Sequence, residues 1–290
     1  MGDYKQILKR VWNDSKLSFV ILLKTLSFLL IFSYFRLGNN VLKRLKQKLE
    51  RSARVKYQPT GAELMELEWF AVYATDIFKF ATAQDLRDSY RTYTGHTVGE
   101  FRECRYSIMR QGHKVFVSIR GSTTEQNWID GLTAEMSSGN HAGYHAVAKG
   151  IADAIGRYAD GGDVIYITGG SMGGAVSILA GWLLSDRGYT LGKIWAFANP
   201  RVSQHNYGHL PIINVFDMRD PVVYMPSFTL IGRYQHQGKR LVYIDQSWWL
   251  YQDCWRTDLL LSPWFMSEPL KPETHMQYGD RLLELKERLQ

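Results

Sequence analysis

The sequence predicts an α/β fold, a mostly parallel sheet flanked by helices, with a hydrophobic and basic helical extension in front of it. Three observations predict it. Short β-branched runs alternate with segments of helical spacing along most of the 290 residues. One of those runs, residues 164–168, passes through a glycine-rich turn, Gly169-Gly170-Ser171-Met172-Gly173, straight into an apolar helical segment. The first 56 residues instead pair one long apolar run with a dense set of Lys and Arg, so they form an extension and not another layer.

The charge divides along the same line. The net charge is +7, yet residues 1–56 hold eight Lys and five Arg against Asp3, Asp14 and Glu50. The remainder therefore holds 22 basic and 25 acidic residues. The excess positive charge belongs to the extension, which argues against a nucleic-acid enzyme and for a basic arm with its own role. Two domains follow, 1–56 as a membrane-associating segment and 57–290 as the catalytic body. Cys104 and Cys254 lie far apart without metal-ligand spacing and read as two free thiols, with one disulfide as the alternative.

Residues 17–35, LSFVILLKTLSFLLIFSYF, are nearly long enough to cross a bilayer. Lys24 sits in the middle, at a cost of about 2.5–3.5 kcal/mol that the surrounding Leu and Phe can offset. A tilted spanning helix, an in-plane anchor and a signal sequence all fit, although no A-x-A-like cleavage site follows. Residues 41–49 set Val41, Leu42, Leu45 and Leu49 against Lys43, Arg44, Lys46 and Lys48, a short basic amphipathic helix suited to anionic headgroups. If the first piece spans, the heavier positive charge behind it puts the body on the cytosolic side of a membrane.

In the body, residues 62–81 read as a helix with Leu64, Leu67, Phe70, Ala71, Ala74, Ile77 and Phe78 on its apolar side. Residues 101–109 and 114–119 read as strands joined by a hairpin at Arg110-Gln111-Gly112-His113. Further strands are expected at 193–197, 212–216 and 241–244, and helices at 144–158, 172–184 and 282–289. Alternation at this spacing gives a largely parallel sheet covered on both faces, with its chemistry at the carboxyl ends of the strands. The aromatic stretch 247–265, with Trp248, Trp249, Tyr251, Trp255, Trp264 and Phe265, reads either as an acyl pocket or interfacial surface, or as an insertion packed on the sheet.

Gly169 to Gly173 fits G-x-S-x-G, in which the serine occupies a strained strand-to-helix turn and needs small neighbours. A serine needs a base, and the base an orienting carboxylate. Asp217 and Asp220 both lie at the end of a strand downstream of Ser171. His236 and His275 both lie beyond them, and His275 is preferred because it follows the last strand. The other histidines lack zinc-ligand spacing, so neither a metal nor a cofactor is expected.

Six blocks in order over residues 101–278 resemble the class 3 lipases, the fungal-type triacylglycerol lipases of the α/β-hydrolase fold. They are Val117-Ser118-Ile119-Arg120-Gly121-Ser122 with Asn127-Trp128; His141-Ala142-Gly143-Tyr144; the elbow; Asn199-Pro200-Arg201-Val202; Asp220 with Pro226; and His275 with Tyr278. The resemblance selects Asp220 over Asp217. It implies Ser171 as nucleophile, His275 as base, Asp220 as its orienter, and the N–H groups of Ser122 and Met172 as oxyanion donors. It also implies a lid over 123–132 that includes Asn127, Trp128, Ile129 and Leu132. The implied activity is ester hydrolysis of an acylglycerol or a phospholipid through an acyl-enzyme; a silent lipid-binding module on the same fold is the rival. Two departures from the family stand at the elbow, where Gly170 replaces a usual His and Met172 a usual Leu.

Overall fold

The computed structural model describes residues 54–123, 136–137, 139–225, 234–244, 246–252, 270–271 and 274–275. The expected lid, the extension before residue 54, the helix at 282–289, Pro226, Cys254 and Tyr278 lie outside the described residues. Among the described residues no helix is long and apolar enough to cross a membrane.

The described elements run in chain order β1 (Arg54–Lys56), α1 (Gly61–Asp76), α2 (Ala83–Ser89), β2 (Thr94–Phe101), β3 (Cys104–Gln111), β4 (Lys114–Ile119), β5 (Met136–Ser137), β6 (Asn140–His141) and α3 (Ala142–Tyr158). They continue with β7 (Val164–Gly170), α4 (Met172–Asp186), β8 (Thr190–Phe197), β9 (Ile212–Asp217), β10 (Lys239–Ile244) and β11 (Ser247–Tyr251). Nine strands make one sheet in the order β1-β11-β10-β9-β8-β7-β4-β3-β2. The five central strands are parallel, β10 on β9, β9 on β8, β8 on β7 and β7 on β4. Antiparallel pairs close both flanks.

Both faces of the sheet are covered, as continuous apolar strands require. On one face α3 and α4 bury Ile151, Ile155, Ile178 and Leu179 against Val117, Ile165, Ile167 and Ile194. On the other, α1 buries Leu67, Phe70 and Tyr73, and the turn after it Ile77, against Phe116, Trp195, Phe197 and Val215. Each such side chain contributes about 1.5–3 kcal/mol of burial. Polar pins hold α1 in register: the Ser118 hydroxyl donates to the Tyr73 carbonyl at 2.9 Å and the Thr168 hydroxyl to the Phe70 carbonyl at 3.2 Å.

The helix expected over 62–81 ends early, and a second helix that the sequence reading did not foresee follows it. Thr60 caps α1 in a capping box with Glu63, and the regular helix stops at Asp76. A second capping box, Thr82 with Asp85, starts α2. The Asp85 carboxylate also accepts the Ala81 N–H, so the chain there is already committed to a new helix start. In the turn between, Ile77 and Phe80 are buried and Phe78 is left half-exposed.

The strand expected at 101–109 is shifted. Phe101 ends β2, and the hairpin turns at Arg102-Glu103, both with positive φ (48° and 60°). A two-residue hairpin demands that geometry, and here no Gly or Asn advertises it. The aromatic stretch begins as β11, which buries Trp248 and Tyr251 against the sheet. At its outer side β11 pairs with β1, so the sheet begins at Arg54, within the last three residues assigned to the basic extension.

Candidate active site

Sequence forces the elbow into shape. The β7 ladder continues through the Ser171 N–H, which donates to the Phe197 carbonyl at 2.8 Å. At the next peptide α4 begins, and Ser171 takes φ 56° and ψ −127°. A non-glycine residue is strained there, at a cost on the order of 1–3 kcal/mol, and the surrounding glycines allow the turn. A Cβ on Gly173 would fall on the Ile119 carbonyl of β4, and one on Gly169 would come within 2.5 Å of Gly173. A Cβ on Gly174 would stand 2.9 Å from the Asn199 Cβ. These three glycines let α4 lie directly against the strand ends.

The expected oxyanion residues converge on this turn. Met172 is the first residue of α4, so its N–H has no acceptor within the helix and lies at the positive end of the helix dipole. Its side chain is buried in the core on the α3–α4 face. Ser122 lies just beyond β4, and its neighbour Gly121 packs against the elbow. A Cβ on Gly121 would meet the Gly170 carbonyl at 2.9 Å and the Ser171 Cβ at 3.4 Å.

The two aspartates after β9 do different things. Asp217 is consumed by its neighbour: Arg219 donates to it from the backbone N–H at 2.8 Å, from Nε at 3.0 Å and from Nη2 at 2.8 Å. That clamp stiffens the turn presenting Asp220. The fully buried Asp220 accepts the Val222 N–H on Oδ1 at 2.9 Å, an Asx turn across Pro221. Its Oδ2 lies 2.8 Å from His275 Nδ1. Behind the turn, Tyr224 donates its hydroxyl to the Met218 carbonyl at 2.6 Å. Burial, and to a smaller degree the two aspartates, drives the Tyr224 phenol pKa far upward, so it stays a donor.

His275 reaches Asp220 because its loop is tied to the same turn. The Lys271 N–H donates to the Arg219 carbonyl at 2.8 Å, and Thr274 closes back on the Lys271 carbonyl through both its N–H and its hydroxyl. His236, the other candidate base, is buried among Phe216 and the guanidinium groups of Arg201 and Arg240. Its Nε2 meets the Val223 carbonyl at 2.8 Å. Burial first, then the two arginines, push its pKa well below the usual histidine value, so its ring is a neutral donor committed to the fold.

The remaining blocks that carry the resemblance are structural. His141 caps α3, accepting the Tyr144 N–H and stacking on that ring at 3.9 Å. Arg201 joins the end of β8 to the acid loop, with Nη1 donating to the Tyr224 carbonyl at 3.3 Å and its N–H to the Met225 carbonyl at 2.7 Å. Sequence reasoning missed Arg219, Tyr224 and the Lys271–Thr274 turn. Only the Asp217-x-Arg219 spacing carried a signal for any of them.

Compared with known proteins, residues 116–229 match the family described as lipase (class 3). Over that stretch the chain is similar to the class 3 lipases. That similarity supports a carboxylic-ester hydrolase, and the fold is that of the α/β-hydrolases. Solved structures of lipases share this fold. The lipase of Rhizopus microsporus var. chinensis is 18% identical with a TM-score of 0.58, over 78% of this chain and 89% of that one. Lipase II of Rhizopus niveus is 16% identical with a TM-score of 0.58, over 79% and 97%. Rhizomucor miehei triacylglyceride lipase is 18% identical with a TM-score of 0.56, over 78% and 97%. No curated protein matches the sequence significantly. The matched stretch covers most of β4, the Ser171 elbow and the Asp220 loop, but not His275.

Proposed function

We propose that the protein is a class 3 lipase that hydrolyses lipid esters with Ser171 as nucleophile, His275 as general base and Asp220 as its orienter. The observation that carries the proposal is the 2.8 Å contact between His275 Nδ1 and the buried Asp220 carboxylate. With Nδ1–H donated to Asp220, Nε2 is left as the acceptor for the serine proton. Ser171 Oγ attacks the ester carbonyl, and the carbonyl oxygen gathers negative charge that the Met172 and Ser122 N–H groups receive. His275 passes the proton to the departing alcohol, which leaves an acyl-enzyme on Ser171. A water, deprotonated by His275, then releases the fatty acid and restores the serine.

The substrates are acylglycerols or phospholipids, in keeping with the match to a lipase family. The rival is a silent lipid-binding module, for which a buried carboxylate held against a histidine has no use. Ser171→Ala decides between them. Turnover of p-nitrophenyl esters should fall by several orders of magnitude, and equal rates for wild type and variant would leave the binding module in front. Product analysis on mixed glycerides and phospholipids then identifies the ester.

The basic extension supports a second part of the reading, that residues 1–56 hold the enzyme on anionic membrane surfaces with the body on the cytosolic side. Deleting residues 1–52, which spares β1, should abolish sedimentation with phosphatidylserine vesicles. Unchanged sedimentation would refute the anchor.

A further inference from the structure

Among the described residues six large apolar side chains stand exposed, and four of them, Val55, Met65, Val72 and Phe78, fall between β1 and the turn after α1. Met65 is 68% and Val72 49% exposed. Seven residues make close to two full turns, so the two sit one above the other on the outer side of α1. Glu68 and Asp76 share that stripe, which reads Met65, Glu68, Val72, Asp76. Over its 16 residues α1 carries Glu63, Glu66, Glu68 and Asp76, and no Lys or Arg lies on the helix itself. Its outer face is therefore apolar and acidic.

The chain that enters β1 has the complementary composition. Residues 41–49, VLKRLKQKL, hold four basic residues and no acidic one. At helical spacing Val41, Leu42, Leu45 and Leu49 form one apolar arc, with Lys46 and Lys48 on its two flanks. Helices shorter than about 12–15 residues are marginal alone in water, so this segment needs a surface to fold against. From Leu49 to Arg54 the chain reaches at most about 17 Å, which keeps the segment near β1. β1 leads directly to α1, and its ladder runs on to Tyr57, whose N–H donates to the Trp248 carbonyl at 3.0 Å. Burial first, then the charges of Glu63 and Glu66, push the Tyr57 phenol up to about 12, so the acidic first turns of α1 stand beside the incoming chain. Tyr57 packs on the α1 side of the sheet, and the pleat turns Val55 to that side as well.

We propose that residues 41–49 dock as a helix on the outer face of α1, and that an anionic lipid surface competes for the same segment. The apolar arc lies on Met65 and Val72, and the flanking lysines face the acidic helix. That arc is also the side that would enter a headgroup layer, so it cannot meet α1 and lipid at once. The extension thus rests on the body until anionic lipid draws it off. This goes beyond the anchor reading, whose failure would show separately.

The test places the photo-crosslinker p-benzoylphenylalanine at position 72 of the full-length protein and maps the products by mass spectrometry. Intramolecular cross-links should reach peptides from residues 41–49. The same probe at position 113, where His113 stands exposed in the β3–β4 hairpin, should give none. Lys43→Glu, Arg44→Glu, Lys46→Glu and Lys48→Glu together should lower the yield at least fivefold, and Met65→Lys on α1 at least threefold. Phosphatidylserine vesicles should lower it at least threefold, and phosphatidylcholine vesicles should leave it unchanged. The docking is overturned if position 72 captures no peptide from 41–49, whether it takes another part of the chain, a second copy or lipid instead. It is equally overturned if either set of substitutions leaves the yield within twofold. An unchanged yield in protein that sediments with the phosphatidylserine vesicles overturns the competition. Should the protein not sediment with them, the anchor reading fails by itself, and the vesicle-free yields decide the docking.

Discussion

Two aspartates three residues apart at the end of β9 offer a sharp test, because both are buried and only one faces His275. Asp220→Asn keeps the shape and can still accept the Val222 N–H, but it removes the charge that steadies the imidazolium and fixes its tautomer. The comparable loss in a serine triad is roughly 10⁴-fold in kcat, or about 5 kcal/mol of transition-state stabilisation. Asp217→Asn instead weakens three contacts from Arg219, the two from the guanidinium being charge-assisted and on the order of 1.5–3 kcal/mol each before compensation by water. That energy is spent on holding the turn, so the folded variant should keep its kcat within about tenfold while its melting temperature falls several degrees, as a loss of about 1–3 kcal/mol implies. The assay is kcat on p-nitrophenyl butyrate for both variants, with a melt of each. If Asp217→Asn loses as much kcat as Asp220→Asn at an unchanged melting temperature, the assignment of the two carboxylates is wrong.

Ser171→Gly should abolish turnover yet raise stability by about 1 kcal/mol, since glycine takes φ 56° without strain; a melting temperature below wild type would contradict the strained elbow. Gly173→Ala should cost more than about 3 kcal/mol and remove most soluble protein, because its Cβ would meet the Ile119 carbonyl and not a movable side chain; normal yield would refute the close helix–strand contact. His236 is kept neutral in the fold and gains a proton once unfolded, so stability should be constant above about pH 6.5 and fall below it. The slope approaches 1.4 kcal/mol per pH unit per proton. His236→Gln, which keeps a donor for the Val223 carbonyl, should flatten that slope, and an unaltered slope between pH 7 and 5 would show that His236 is not its source.

Local signals carried the centre of the fold. The β-branched run ending at Gly169, the glycines of the elbow and the apolar spacing of α4 all act within about twenty residues, and they place Ser171 between a parallel strand and a helix. The order of the acid and histidine blocks followed from chain order alone. The sheet's flanks were harder to read. β2 turns into β3 through Arg102 and Glu103, whose positive φ values no residue type announces, and β1 is three residues whose only reason to be a strand is β11 beside them. The start of α2 was written in the capping box of Thr82 and Asp85, but a seven-residue helix has too short an apolar period to be read from the sequence.

Residue pattern by itself fixed the α/β class, the turn that carries Ser171 and the charge that sets residues 1–56 apart. All three are properties of local stretches of chain, where dihedral preference, hydrophobic period and charge act directly. The tertiary structure brought Asp220 to His275 across 55 residues, as the resemblance implied, and it alone decided that His236 lies buried against Val223. These outcomes depend on which strands become neighbours and on what Arg219 has already claimed, and a linear sequence does not contain that spatial competition for partners.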